Sequence, residues 1–385
     1  MLRRTLGCVR LVYNKALHTR AEAWTSGKKS IGYAVQSAQL TAWKKTEELS
    51  FLNEVSSVPL QQALRHLQVA YSRFFNKRSK YPRFKKKSHG GSATFTKSAF
   101  RFKDGALTLA KMALPLNIRW SRPLPKGADP STVTVSLDAA GRWHVALLCA
   151  DAGVQPLPAV TAAVGIDFGI TDLLTLSTGE KIDNPRHDNK ELARKRLLSR
   201  RLARKQKGSR NRNKARQKLA RLHAKVVDRR RDHLHKLTTR LVRENQVIVI
   251  EDLNVRGMVK NHRLARSISD AGWSEGARML DYKSEWYGRT LLKVDRFFPS
   301  SKTCSDCGHV LEELPLDVRQ WTCPVCSVVH DRDENAAHNI LAAGLAVAHK
   351  SEVCGPGVSH RVLLGAMQSG MKQKTSRAIS GIPSL

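Results

Sequence analysis

The sequence predicts a multidomain chain of α/β and β parts: a mixed α/β domain in the second half, preceded by a helical lobe and a small antiparallel β unit built as a barrel or sandwich. Three observations lead there. Apolar residues recur at helical spacing through residues 1–80. Short strands with alternating apolar positions and tight turns fill 81–157. From about residue 160, fully apolar strands of the buried, parallel type alternate with helical stretches.

The elements follow in order. Val9, Val12, Tyr13, Ala16 and Leu17 mark the first helix. Ser57-Val58-Pro59 opens another, with a capping residue and a proline in the first turn, and Leu60, Ala63, Leu64, Leu67, Ala70, Tyr71 and Phe74 form its apolar stripe, which reads as core. FRFKDGALTL is a hairpin turning at Asp104-Gly105, and TVTVSLDAAGRWHVALLCA is a second. Gly153, Pro156 and Pro158 punctuate a linker into the domain expected over 158–345. There AAVGIDFG is a buried strand, LLTLSTGEKI a second that closes on Gly179, and QVIVIEDL a third. Residues 190–243 are helical, with 22 Lys+Arg against three acidic residues, and KQKGSRNRNKAR divides them into two antiparallel helices. A last helix, DENAAHNILAAGLAVA, precedes residues 346–385, which read as a mobile tail.

The charge is the strongest functional signal. Sixty-seven Lys+Arg against 32 Asp+Glu give a formal net charge of +35, which calls for a polyanionic partner. A protein that binds RNA only for assembly would share this composition. KRSKYPRFKKK sets basic residues around Tyr81 and Phe84, suiting a nucleic-acid backbone and its bases as well as it suits a solvated linker, with Lys85, Lys86 and Lys87 as candidate contacts. On the long helices, Arg200, Arg201, Arg204, Lys205, Arg229, Arg230 and Arg231 are candidate backbone contacts; their plain alternative is a solvated helix face. No apolar run is long enough to span a bilayer and the N-terminus lacks a secretory leader, so a membrane partner is not expected and the cytoplasm is.

Seven cysteines are present, four of them in Cys304-x-x-Cys307 and Cys323-x-x-Cys326, fifteen residues apart. Two such knuckles place four thiolates around a tetrahedral Zn²⁺. Four thiolates fill the shell, so this zinc is structural, within an insert expected over 301–329. His309 and His330 flank the site as bystanders, though either could replace a cysteine.

Three acids stand where an acid is costly. Asp167 follows the apolar strand of VGIDFG, Glu251 ends VIVIE, and Asp333 opens the helix of HDRDENAA. A poorly solvated carboxylate shifts its pKa or finds a cation. Three converging would form a negative pocket for Mg²⁺, and two such ions can hold the attacking water and the leaving oxygen of a phosphoryl displacement. Taken singly, each has an ordinary reading: a turn residue, a strand-end charge, a helix N-terminal charge. Asp172, Asp252 and Asp331 lie close by and compete.

GIDFGITDLLTLSTGE, VIVIEDLNVRGM, NHRLARSISDAGW, YKSEWYGRTLLKVDRFFPSSKTCSDCG, WTCPVC and HDRDENAAHNILAAGLA together resemble the serial motifs of the TnpB family, nucleases encoded beside transposases and relatives of compact type V CRISPR effectors. The resemblance runs to about residue 345. It implies an RNase H-like RuvC domain that cuts target DNA at a site chosen by a guide RNA. It also implies two Mg²⁺ on Asp167, Glu251 and Asp333, zinc on the four cysteines, a helical lobe with a wedge-like β-barrel, and a companion transposase acting on the same element. One departure is that family members usually begin with a further barrel strand, whereas here the first helix starts almost at Met1. Two other classes fit the scaffold: a nucleic-acid-binding regulator, expected to have lost one of the acids, and a transposase proper, which would need no RNA.

Overall fold

The computed structural model describes residues 1–121, 123–124, 127–150 and 154–353, in two compact units, one within Met1–Gly153 and one beginning at Val154. The first unit runs α1 (Leu2–Gly27), α2 (Tyr33–Trp43), α3 (Ser57–Phe75), β1 (Gly91–Thr96), β2 (Phe100–Lys103), β3 (Ala106–Leu109), β4 (Pro130–Leu137) and β5 (Trp143–Cys149). Val12, Ala16 and Leu17 of α1 are buried with Leu60, Leu64 and Leu67 of α3, as the helical spacing requires. The same core continues into the strands through Phe95, Leu107, Leu109 and Val133. Both hairpins form. The β2–β3 turn places Asp104 and Gly105 at φ 49° and 75°, the doubly left-handed pair that matches strand twist.

The strands make an antiparallel sheet of order β1-β4-β5 and a separate two-stranded sheet β2-β3. Among the described residues no ladder closes these into one ring. Leu107 and Leu109 instead bury their side chains in the core that also takes Phe95 and Val133, so the two sheets are joined by apolar packing, not by a continuous barrel wall.

The second unit runs β6 (Ala163–Phe168), β7 (Asp172–Leu176), β8 (Lys181–Asp183), α4 (His187–Lys190), α5 (Leu192–Ala203), α6 (Arg210–Glu244), β9 (Val247–Glu251), α7 (Val255–Met258), α8 (Ala265–Ala271), α9 (Trp273–Tyr287), β10 (Thr290–Val294), β11 (Gln320–Thr322), β12 (Val329–Asp331) and α10 (Arg332–Val353). Its five strands order as β10-β9-β6-β7-β8. β6, β7 and β8 form an antiparallel meander, and β9 and β10 lie parallel to β6. Each parallel neighbour needs a crossover, and α4–α6 and α7–α9 supply them. The basic stretch therefore splits as expected, although the break is short and the second helix restarts at Arg210, before the end of KQKGSRNRNKAR.

Strand alternation divides the sheet into two faces. Val164, Ile166, Ile248 and Ile250 pack with Leu234, Leu237 and Leu241 of α6 and Met279 and Leu280 of α9. Val249 and Val294 pack instead with Ile340 of α10. Hence α10 lies on the face that carries the odd-numbered residues of β6 and β9. It continues through Val353, so the first residues of the expected tail are helical, and the remainder of that tail, including Cys354, lies outside the described residues.

Candidate functional site

The strand register sets two of the three acids side by side. Ile166 of β6 pairs with Ile250 of β9 in a parallel ladder, so the next residues, Asp167 and Glu251, fall at the same level. Both project on the α10 face, from strands spaced by ~4.8 Å. The third acid comes from the helix. Gly165 precedes Asp167 by two residues on that face, and a Cβ there would meet the Ala337 carbonyl oxygen at 2.2 Å and the Leu341 nitrogen at 2.7 Å. Helix and strand backbones therefore touch at Gly165. Asp333 sits one helical turn before Ala337, and Asp167 two residues beyond Gly165, so the contact leads both toward one end of α10.

The electrostatics report the same convergence. Asp167 is pushed up to about 7, by burial first and then by the charges of Glu251 and Asp333. Burial also raises Glu251, against a hydrogen bond from the Ser300 hydroxyl to its Oε1 at 2.5 Å. Asp333 Oδ2 meets the Arg319 guanidinium at 3.3 Å. The three carboxylates do not all close to within 4.8 Å of one another. A wider pocket is what two ions ~4 Å apart would need.

Two of the competing acids are engaged elsewhere. Asp331 Oδ1 accepts the backbone N–H groups of Asp333 and Glu334, capping α10, while its Oδ2 takes the Lys181 ammonium at 2.6 Å. Against the upward pull of burial, these donors hold Asp331 below its ordinary value. Asp252 is ion-paired with Arg296.

The raised Asp167 carries a pH consequence. Between about 4 and about 7 the folded chain keeps a proton there that the unfolded chain has lost, so stability falls as pH rises through that window. The effect is at most about 4 kcal/mol. With no divalent ion added, Asp167→Asn should gain melting temperature relative to the parent between pH 5 and pH 8. Identical pH dependence in the two proteins would contradict the assignment, and Mg²⁺ should restore the parent more at pH 8 than at pH 5.

The four cysteines of the two knuckles are free thiols held by short loops. The Cys304–Cys326 and Cys307–Cys323 sulfurs lie 3.6 Å apart, and all four sulfurs fall within 4.8 Å of one another. A tetrahedron of thiolates ~2.3 Å from a zinc ion has edges of ~3.8 Å, so the set could hold that metal. The Cys323 thiol is pushed down to about 6, chiefly by the Cys326 backbone N–H and then, against desolvation, by that of Val325. His330 is not a bystander: it is buried against Trp321, and its Nε2 lies 3.1 Å from the Cys304 sulfur. Cys304, Asp306 and His330 form a second, overlapping set of possible ligands. His309 contributes its backbone carbonyl, which accepts the Cys304 N–H at 2.7 Å. Sequence spacing alone does not show that β12 folds His330 back onto the first knuckle.

The basic candidates divide. Arg200, Arg201, Arg204 and Lys205 are exposed at the end of α5 and beyond. With Arg194, Lys218 and Lys225, Arg201 rims a groove between α5 and α6 whose floor is Leu197, Leu198 and Leu222. The arginines at 229–231 instead tie α6 to its neighbours: Arg229 to Glu191 at 3.3 Å, Arg230 to the Ser269 carbonyl at 3.1 Å, and Arg231 to Glu275 at 2.8 Å. Lys85, Lys86 and Lys87 are all exposed, and the Lys85 ammonium sits 4.2 Å from the Tyr13 ring centre. Among the described residues no helix is long and apolar enough to cross a membrane.

A family profile described as "Probable transposase" matches residues 135–262, one described as "Cas12f1-like, TNB domain" matches 273–340, and one described as "Helix-turn-helix domain" matches 1–29. A "Putative RNA-guided DNA endonuclease" of Streptomyces pristinaespiralis is 61% identical, covering 100% of this chain and 94% of that protein. The "Putative RNA-guided DNA endonuclease InsQ" of Escherichia coli K12 is 35% identical over 92% of this chain and 91% of its own length. A chain in the cryo-EM structure of a Cas12f1–sgRNA–target DNA complex shares the fold at a TM-score of 0.51, with 16% identity, over 88% of this chain and 81% of that one. On the strength of the two full-length relatives, the chain belongs to the TnpB family, the OrfB proteins of IS605-type elements.

Proposed function

We propose that this protein is an RNA-guided DNA endonuclease of a transposable element, whose second unit is an RNase H-like RuvC nuclease domain. The observation that carries the reading is the convergence of Asp167, Glu251 and Asp333 from two adjacent parallel strands and the start of α10. The residues fit Mg²⁺: three oxygen donors, with Asp167 raised by burial and then by the other two acids, and Glu251 raised by burial, so that a cation would favour their ionised forms. When bound, a pair of such ions would supply an activated water and stabilise charge on the scissile phosphate.

The chain's own part is positional. Asp167 would hold Mg²⁺ together with Glu251 and Asp333. Glu251 is oriented by the Ser300 hydroxyl. Asp333 is fixed by the first turn of α10, which Asp331 caps. Arg200, Arg201, Arg204 and Lys205 offer a basic surface to a phosphate backbone. The cysteine set holds a structural zinc. Guide RNA pairing reads the target, and the protein reads shape. The names of the two full-length relatives and the charge of +35 both support a nucleic-acid complex.

The test is the RNA. Protein purified from cells that carry its element should retain a discrete RNA, and plasmid DNA complementary to part of that RNA should be cut. Ribonuclease treatment should abolish cutting. Cutting that survives ribonuclease, or protein that retains no RNA, would favour a transposase that acts without a guide.

A further inference from the structure

We propose that Asn335 and Asn339 are positioning residues that, through Ser300, hold Glu251 in place for metal binding; this rests on the nuclease reading above. The two asparagines lie one turn apart on α10 and are 2% and 7% exposed. Asparagine is a poor choice for a buried helix face unless its amide is needed. Here both amide nitrogens are employed on one short segment. Asn339 Nδ2 donates to the Ser300 carbonyl at 2.8 Å and to the Thr303 carbonyl at 2.6 Å. Asn335 Nδ2 donates to the Thr303 carbonyl at 2.7 Å, and its Oδ1 accepts the Ser305 backbone N–H at 3.0 Å. These backbone groups run from the loop after β10 into the first cysteine knuckle, outside the named strands and helices.

The loop so clamped does two things. Its first clamped residue, Ser300, is 7% exposed and donates its hydroxyl to Glu251 Oε1. Its later residue Cys304 belongs to the zinc set. The asparagines therefore refer Glu251, at the end of β9, to the same helix that carries Asp333. A glutamate side chain turns about three bonds, and a short hydrogen bond from a clamped serine restricts that rotation. Outer partners of this kind typically contribute 10–100-fold in metal affinity.

The experiment uses the full chain with its bound RNA. Mn²⁺ is titrated, and the rise in melting temperature beyond that of Asp167→Ala, which serves as the background for ions held by RNA, gives the half-saturating concentration. Ser300→Ala removes only the hydroxyl that reaches Glu251, and Asn339→Ala loosens the clamp. Both should raise the half-saturating Mn²⁺ about tenfold or more. In Ser300→Ala the zinc content should stay at the parental level, and Ser300→Thr, which keeps a hydroxyl, should recover most of the loss. Parental Mn²⁺ half-saturation in Ser300→Ala would overturn the proposal even if Asn339→Ala failed to fold. If the parent itself showed no Mn²⁺ response beyond Asp167→Ala, the nuclease reading would fall together with this one. A parental response lost in Asp167→Ala but unchanged in Ser300→Ala would sink this inference alone.

Discussion

Asp167→Ala should lower DNA cutting by about a thousandfold or more while leaving RNA retention and the amount of folded protein unchanged. The reasoning is energetic. Polarisation of the scissile group by a bound metal supplies several kcal/mol of barrier lowering, and each 1.36 kcal/mol is a factor of ten in rate. Asp167 is the acid on which the charges of the other two converge, so its loss should release the ion pair more fully than loss of either neighbour. Folding should not suffer, because the replaced carboxylate is desolvated, is held near two others and, among the described residues, forms no salt bridge, with Arg332 its one favourable charge of note. Asparagine should behave like alanine in cutting, because a neutral amide cannot neutralise a divalent ion. Single-turnover cleavage with the RNA-bound protein, read beside co-purified RNA yield, measures both arms. Cutting at the parental rate would remove Asp167 from the chemistry, and loss of RNA together with cutting would point to misfolding.

How much of this site can be read before the fold is known depends on the range of the interactions involved. Asp167 and Glu251 are legible because an acid at the end of a run such as VIVIE breaks a local rule, and a local rule needs no partner to be seen. The four cysteines are legible because a knuckle is a short loop that sets its own geometry. The Asp104-Gly105 hairpin is legible because the turn's conformation admits few other residues. Ser300, Asn335 and Asn339 are invisible in the sequence, since their role is defined by backbone carbonyls that only the packing of α10 brings within reach. The ion pairs of the arginines at 229–231 are likewise invisible in the sequence: Glu191, distant in the chain, meets Arg229, and Glu275 meets Arg230 and Arg231. Barrel closure is not legible for a comparable reason: alternation specifies which face of a strand is buried, not whether its edge finds another strand, and among the described residues these strands form two separate sheets.

Gly165 carries the second large effect. Its backbone is not in the left-handed region, so the need for glycine is one of space, not of dihedral freedom. A methyl group at this position would stand 2.2 Å from the Ala337 carbonyl oxygen and 2.7 Å from the Leu341 nitrogen. Both are helix backbone, which cannot swing aside as a side chain can, so α10 must lift from the sheet. Overpacking of a core typically costs about 1–3 kcal/mol, and a clash with rigid backbone belongs at or above the upper end. Gly344 makes a second close approach on the same helix: a Cβ there would stand 2.4 Å from Cγ1, 2.8 Å from Cγ2 and 3.1 Å from Cβ of Val249, a stiff, buried β-branched residue of β9. Gly165→Ala should therefore be less stable than the parent by about 3 kcal/mol or more in urea denaturation. Function adds a second discriminant. Lifting α10 carries Asp333 away from Asp167 and strains the asparagine clamp on the zinc loop, so any folded Gly165→Ala should cut poorly and need more Mg²⁺. A Gly165→Ala protein with parental stability and parental Mg²⁺ dependence would mean that α10 does not seat on the sheet at this glycine, and the route by which helix and strand bring their acids together would have to be drawn differently.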